Sequence, residues 1–172
     1  MEKEVVLRAF EQGDLKQLHR WLNDPESILM VGRTPMTFVE TEQYVQKMRN
    51  ENALILGIEN KEQDLVGWIH LTKLYYEHGR AEIGLLIAPE SRGHGYGKYA
   101  MENMITLAFN QLRLNKVYLT TRGLNKRALG LYEKLGFTVE GTLRQHSFIN
   151  GKYYDTLFMG VLADEWKKSR VD

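Results

Sequence analysis

Apolar positions along this chain fall into two rhythms, alternate residues and every third or fourth, and the switches between them mark out the elements. Residues 5–10 form a first apolar run of strand type. Leu15, Leu18, Trp21 and Leu22 then recur at helical spacing behind an Asp14/Gln17 pair placed like a capping box. A second such pair, Thr37 and Glu40, opens a helix bearing Val39, Tyr44, Val45 and Met48 to about Asn50. Residues 53–59 and 65–75 read as two strands joined by the polar turn 60–64, and 76–79 turns the chain into a third. There Ile83, Leu85, Leu86 and Ile87 make a short buried run, which Pro89 ends because it has no N–H for a ladder. A helix over about 96–112, a strand over 116–121 and a helix over 126–135 follow, with Asn125 and Gly136 as caps of the last. Asn150-Gly151 tolerates positive φ, so a two-residue hairpin loop there pairs Phe148 with Tyr153 and His146 with Asp155. The order β-α-α-β-β-β-α-β-α-β-β predicts an α+β or mixed α/β fold in one domain over 1–172.

Composition narrows the function classes. A chain of 172 residues, 43% hydrophobic and 26% charged, suits one soluble globular core. A net charge of +1 argues against partners held by bulk electrostatics, such as nucleic acid or an anionic membrane. No segment nears the roughly 20 apolar residues that span a bilayer. The expectation is therefore no nucleic acid and no membrane, while a homodimer stays open. Without cysteine there is no disulfide, thiolate metal site or Cys nucleophile, and no histidine spacing suggests a metal. Met1-Glu2-Lys3-Glu4 is charged and lacks an apolar signal region behind it, so a cytoplasmic location is expected.

The chemistry concentrates after the third strand of the middle group. Gly93, Gly95 and Gly97 alternate with His94 and Tyr96 and run straight into a helix, flanked by Arg92 and Lys98. Glycines there let a ligand approach the backbone, and the unpaired amides of a helix's first turn point outward with the positive end of its dipole behind them. That combination binds anions, most often phosphate. A Walker P-loop does not fit, because Arg92 stands where its first glycine belongs and Tyr99 follows the lysine. Gly95-x-Gly97-x-x-Ala100 matches a dinucleotide fingerprint, but no acidic residue for a ribose lies about twenty residues further on, over 115–121.

Arg92-x-x-Gly95-x-Gly97 also fits the pattern Arg/Gln-x-x-Gly-x-Gly/Ala, and here the chain resembles the GNAT superfamily of acetyl-CoA-dependent N-acetyltransferases. Upstream, Ala81-Glu82-Ile83 is similar to that family's central strand. Downstream, Asn125-x-x-Ala128-x-x-x-Tyr132-x-x-x-Gly136-Phe137 is similar to its second cofactor-facing helix. The resemblance implies a central mixed, largely antiparallel seven-stranded sheet flanked by helices, with acetyl-CoA as cosubstrate and no metal. It implies that Arg92, Gly93, His94, Gly95, Tyr96, Gly97 and Lys98 hold the pyrophosphate, and that the pantetheine arm lies along Leu85, Leu86 and Ile87 where the central strand leaves its neighbour. Gly84 suits a bulge or close approach there. Asn125 would bond the arm and Tyr132 protonate the leaving thiolate, with a capping Asn and a core tyrosine as the plainer alternatives. Arg127 could meet the nucleotide's phosphates or sit on a solvated face. Glu82 is the candidate general base, acting through water, or else it pairs with Arg80 or a neighbouring strand's lysine.

The acceptor amine stays open. Residues 136–162 are similar to the hairpin of the branch with spermidine and ribosomal-protein N-terminal acetyltransferases. Yet Met30-Val31-Gly32-Arg33-Thr34-Pro35 carries an arginine and no acidic cluster for a polycation. Glu77, His146 and Asp155 are candidate substrate-binding residues, the last two also readable as a cross-strand contact. A protein N-terminus, a polyamine, an aminosugar and another small amine all remain. Two rival functions are a non-catalytic acetyl-CoA binder, against which Glu82 and Tyr132 count, and a dinucleotide-binding oxidoreductase.

Overall fold

The computed structural model describes residues 4–168, so the charged start Met1-Glu2-Lys3 lies outside the described residues. The strands are β1 (Val6–Ala9), β2 (Leu54–Glu59), β3 (Leu65–Tyr75), β4 (Arg80–Ile87), β5 (Lys116–Arg122), β6 (Thr138–Ile149) and β7 (Lys152–Leu162). The helices are α1 (Leu15–Leu22), α2 (Pro25–Val31), α3 (Phe38–Asn50), α4 (Tyr96–Asn110), α5 (Lys126–Lys134) and α6 (Ala163–Lys168). All seven strands join one sheet in the order β1-β2-β3-β4-β5-β7-β6, antiparallel throughout except for β4 beside β5. This is the mixed, largely antiparallel seven-stranded sheet that the sequence resemblance implies.

Two apolar cores sandwich the sheet. On one face α4 places Met101, Met104, Ile105 and Ala108 against Ile69, Leu71, Val117 and Met159, all at most 1% exposed. On the other, Leu18 and Trp21 of α1 and Val45 and Met48 of α3 meet Phe10, Ile55, Trp68 and Leu86. Burying each such side chain stabilises the fold by about 1.5–3 kcal/mol, which fixes the pitch of the sheet between its helical layers. Alternation along β4 sends Ala81 and Ile83 to the α4 core and leaves Glu82, Gly84 and Leu86 on the α1/α3 side.

One break in the sheet positions everything that follows. β4 and β5 pair only at Arg80↔Lys116, Ala81↔Val117 and Glu82↔Tyr118. Beyond Glu82, β4 stays with β3 and β5 stays with β7, so the two strands diverge and a gap opens in the middle of the sheet.

Four local readings change. Asp14 does not cap α1 through a box with Gln17; its carboxylate accepts the Glu11 N–H at 2.8 Å and pairs with Arg8 at 2.7 Å, closing a short turn one step earlier. Residues 25–31, within what read as a connection, form α2, capped by Asp24 on the Ser27 amide, opened by Pro25 and ended by Gly32 at φ +74°. Gly84 is no bulge, since β3 and β4 pair without interruption around it. The hairpin pairs Phe148 with Tyr153 as expected, but the register slips between Leu143 and Ser147, so Asp155 faces a bulge and accepts the Gln145 N–H at 2.8 Å rather than meeting His146.

Candidate active site

The divergence of β4 and β5 opens a cleft of about 940 Å3, roofed by α2, α3 and the β6–β7 hairpin and continuous with the glycine loop. Gly93 and Gly95 adopt φ +83° and +85°, which a side chain disfavours, and α4 starts at Tyr96. Among the described residues the amides of Gly93, His94, Gly95, Tyr96 and Gly97 donate to no other protein group. Five adjacent free donors at a helix N-terminus fit a diphosphate. The Lys98 ammonium lies beside this cradle, 4.0 Å from Glu102, and Arg127 enters the cleft from α5.

Two loop side chains turn to other groups of the protein. The Arg92 guanidinium turns to α2, donating to Glu26 at 2.5 Å and Ser27 Oγ at 2.7 Å, with Asp24 at 3.4 Å. His94 lies outside the cleft wall; its Nδ1, 3.0 Å from the Arg92 carbonyl, must carry the proton because a carbonyl only accepts. Its ring stacks on Tyr96 at 5.7 Å.

Leu85, Leu86 and Ile87 line the gap, where the β5-facing edge of β4 has no partner strand beyond Glu82. Backbone groups on such an edge suit a pantetheine amide and can polarise a thioester carbonyl. Asn125 faces the cleft while its Oδ1 accepts the Ala128 N–H at 3.2 Å, so it caps α5 and still presents its amide nitrogen. Two turns along, Tyr132 also reaches the cleft, its ring 5.9 Å from that of Phe137. Burial pushes its phenol up to about 12, which keeps it protonated and a donor.

Glu82 stands where the sheet parts. Lys73 Nζ lies 2.7 Å from Oε2, and Thr120 Oγ1 donates to Oε1 at 3.5 Å. Lys73 is brought there by a bulge in β3, its own φ at +48°. The pairing with a neighbouring strand's lysine therefore exists, and it holds the carboxylate inside the cleft. His146, Ser147 and Thr156 line the hairpin side, the last two sharing a 3.0 Å hydrogen bond. Glu77 sits in the exposed Tyr76–His78 turn and Asp155 on β7 opposite the hairpin bulge, and neither lines the cleft.

The sequence reading passed over His70. It stands opposite Gly84 in the β3–β4 register, and a Cβ on Gly84 would lie 2.2 Å from its Cε1. Only glycine lets this ring lie across β4 into the cleft. Its Nδ1 is enclosed and has no hydrogen-bond partner among the described residues, and the ring packs 5.0 Å from Trp68. Burial first, then the nearby charge of Arg33, pushes the imidazole down to about 4, so it is neutral at ordinary pH. The signal was present in the alternation of Trp68, His70 and Thr72, which puts the histidine on Glu82's face.

The acetyltransferase (GNAT) domain family matches residues 4–138. The spermidine N(1)-acetyltransferase of Vibrio cholerae is 33% identical over 168 residues, covering 96% of this chain and 97% of that protein. The putative ribosomal N-acetyltransferase YdaF of Bacillus subtilis is 33% identical over 73% of this chain and 70% of its own. Among solved structures, that of the Vibrio cholerae spermidine N-acetyltransferase in complex with CoA and spermine superimposes with a TM-score of 0.89 at 32% identity, over 95% of this chain and 98% of that one. The overall fold is thus shared with a CoA-bound relative, and this chain belongs to the GNAT family as an acetyl-CoA-dependent N-acetyltransferase.

Proposed function

We propose that this chain acetylates a primary amine by direct attack in a ternary complex, with Glu82 as base through water and Tyr132 as acid. The observation that carries the reading is the end of β4–β5 pairing at Glu82, which lets one cleft hold both the glycine cradle and the Glu82–Tyr132 pair. The residues fit the cosubstrate: free amides of Gly93–Gly97 for the diphosphate, Lys98 and Arg127 for further phosphate charge, Asn125 and the open edge of β4 for the arm.

A primary amine has a pKa of about 10 and is mostly protonated near neutrality. Glu82 accepts that proton through water, while the ammonium of Lys73 beside it disfavours a second cation and so favours the neutral amine. Charge developing on the acyl oxygen is met by backbone N–H groups of β4. Tyr132 gives its proton to the departing sulfur. A thiol of about 8.5 in water gains proton affinity in apolar surroundings, which narrows its gap to the buried phenol.

We also read the chain as cytoplasmic, on its acetyl-CoA dependence, and as self-associating. The latter is supported by exposed Phe148 and Tyr153 on the hairpin and by a Vibrio cholerae relative, 31% identical with TM-score 0.82, whose structure is dodecameric. No helix among the described residues is long and apolar enough to cross a membrane.

The test is CoA release from acetyl-CoA with a panel of primary amines, among them spermidine, a peptide with a free N-terminus and an aminosugar. Amine-dependent release with one acetyl group gained by the amine is expected. A chain that acetyl-CoA stabilises against heat but that acetylates nothing would instead be a binder. Light scattering gives the assembly state, where a monomeric mass would end the association reading.

A further inference from the structure

The charges lining the acceptor side are unevenly partnered. Each carboxylate of the cleft already has a cation: Glu26 has Arg92 at 2.5 Å, Glu82 has Lys73 at 2.7 Å and Glu51 has Lys47 at 3.9 Å. Two guanidiniums have no such match. Arg33 Nη2 donates to the Tyr44 hydroxyl at 2.7 Å, its Cζ 4.0 Å from that ring's centre, and no carboxylate meets it among the described residues. Arg122 Nη1 donates to the Leu29 carbonyl at 2.7 Å, and burial alone lowers its proton affinity. Both side chains line the cleft, and the Arg122 guanidinium packs over Gly32, next in the chain to Arg33, where a Cβ would lie 1.3 Å from its Nη2. Arg33 is also near enough for its charge to act on His70, whose enclosed Nδ1 lacks a partner among the described residues.

Arginines beside aromatic surface and short of acceptors are built for a planar or tetrahedral anion. A polycation would find every cleft carboxylate occupied and would face Arg33 and Arg122 without compensation. Resting on the acetyl-transfer reading above, we propose that the acceptor amine carries an anionic group, carboxylate or phosphate, received by Arg33 and Arg122 at the C-terminal end of α2. Tyr44, Trp68 and Met30 then line the space for its apolar part, and His70 faces it from β3.

The experiment compares kcat/KM within matched pairs that differ in the anion: L-methionine against 3-(methylthio)propylamine, and glucosamine 6-phosphate against glucosamine, with spermidine alongside. The first pair reports a carboxylate source and the second a phosphate source. At least one anionic member is expected to exceed its match by roughly ten- to a hundred-fold, the range of a charge-assisted hydrogen bond. A carboxylate also lowers the pKa of a neighbouring amine, so the arginine variants decide: Arg33→Ala should bring the ratio near one and Arg33→Lys should keep part of it. Equal rates within both pairs, spermidine as the best acceptor, or a preference untouched by Arg33→Ala would each overturn the inference while leaving acetyl transfer standing. Failure to acetylate any amine would refute acetyl transfer itself, and this inference with it.

Discussion

Tyr132 draws its chemistry from where its ring lies. With the phenol pushed up to about 12 it rests protonated across the working range, the state that the proposed donation to sulfur requires. Tyr132→Phe keeps the ring's packing beside Phe137 and removes the donor. Turnover is expected to fall about a hundred-fold, with acetyl-CoA affinity by calorimetry little changed; equal turnover across pH would take Tyr132 out of the reaction. His70 gives a different readout. Its folded value of about 4 lies below its ordinary 6.5, so between those pH values the unfolded chain binds more protons than the folded one. Stability from this group is complete above pH 6.5 and drains away as the pH falls towards 4, by up to about 3 kcal/mol. His70→Gln should flatten the acid limb of a melting-temperature profile over that window, and an unaltered limb would mean the ring is not buried neutral. The sequence made Glu82 and Tyr132 visible because each belongs to a spaced motif. His70 was not, since its meaning depends on Gly84 lying opposite it, and register across two strands is not written in either. Glu77 and Asp155 show the converse, for their carboxylates suit a substrate but the turn and the stretch of β7 that carry them point them elsewhere.

At the scale of elements, the loop into α4 was the most readable, since Gly93 and Gly95 both require left-handed backbone and nothing else in the chain clusters glycine so closely. Gly95→Asp strains that backbone and sets a negative charge among five free amides. Acetyl-CoA should then give no rise in melting temperature, and a retained rise would move the phosphate site elsewhere. The strands and the Asn150-Gly151 hairpin were legible for the same local reason, as their turn chemistry admits few conformations. α2 was not, being seven residues long and carrying only one buried side chain, Ser27, so it shows no apolar stripe. Its cap and proline were the available signs, at Asp24 and Pro25. The parting of β4 from β5 was expected from resemblance alone, because nothing in residues 83–87 states which neighbour a strand will leave.

The whole molecule is tied across its cleft by α2. Arg92, from the cofactor loop, grips this helix at its first turn through Glu26 and Ser27, and Arg122, from the tip of β5, grips its last turn through the Leu29 carbonyl. The strip that bears Arg33 hangs from that helix. If filling the glycine cradle stiffens the Arg92 anchor and with it the acceptor's wall, each substrate should sense the other, and by linkage the sensing is mutual. The amine's apparent KM is expected to drop several-fold between scarce and saturating acetyl-CoA, and Arg92→Ala should erase the drop. A KM indifferent to acetyl-CoA in the unaltered protein would mean the two halves of the site work as strangers. Communication of this kind would make a seven-residue helix, rather than a lid or a hinge, the device that keeps the thioester from being spent before an acceptor is seated.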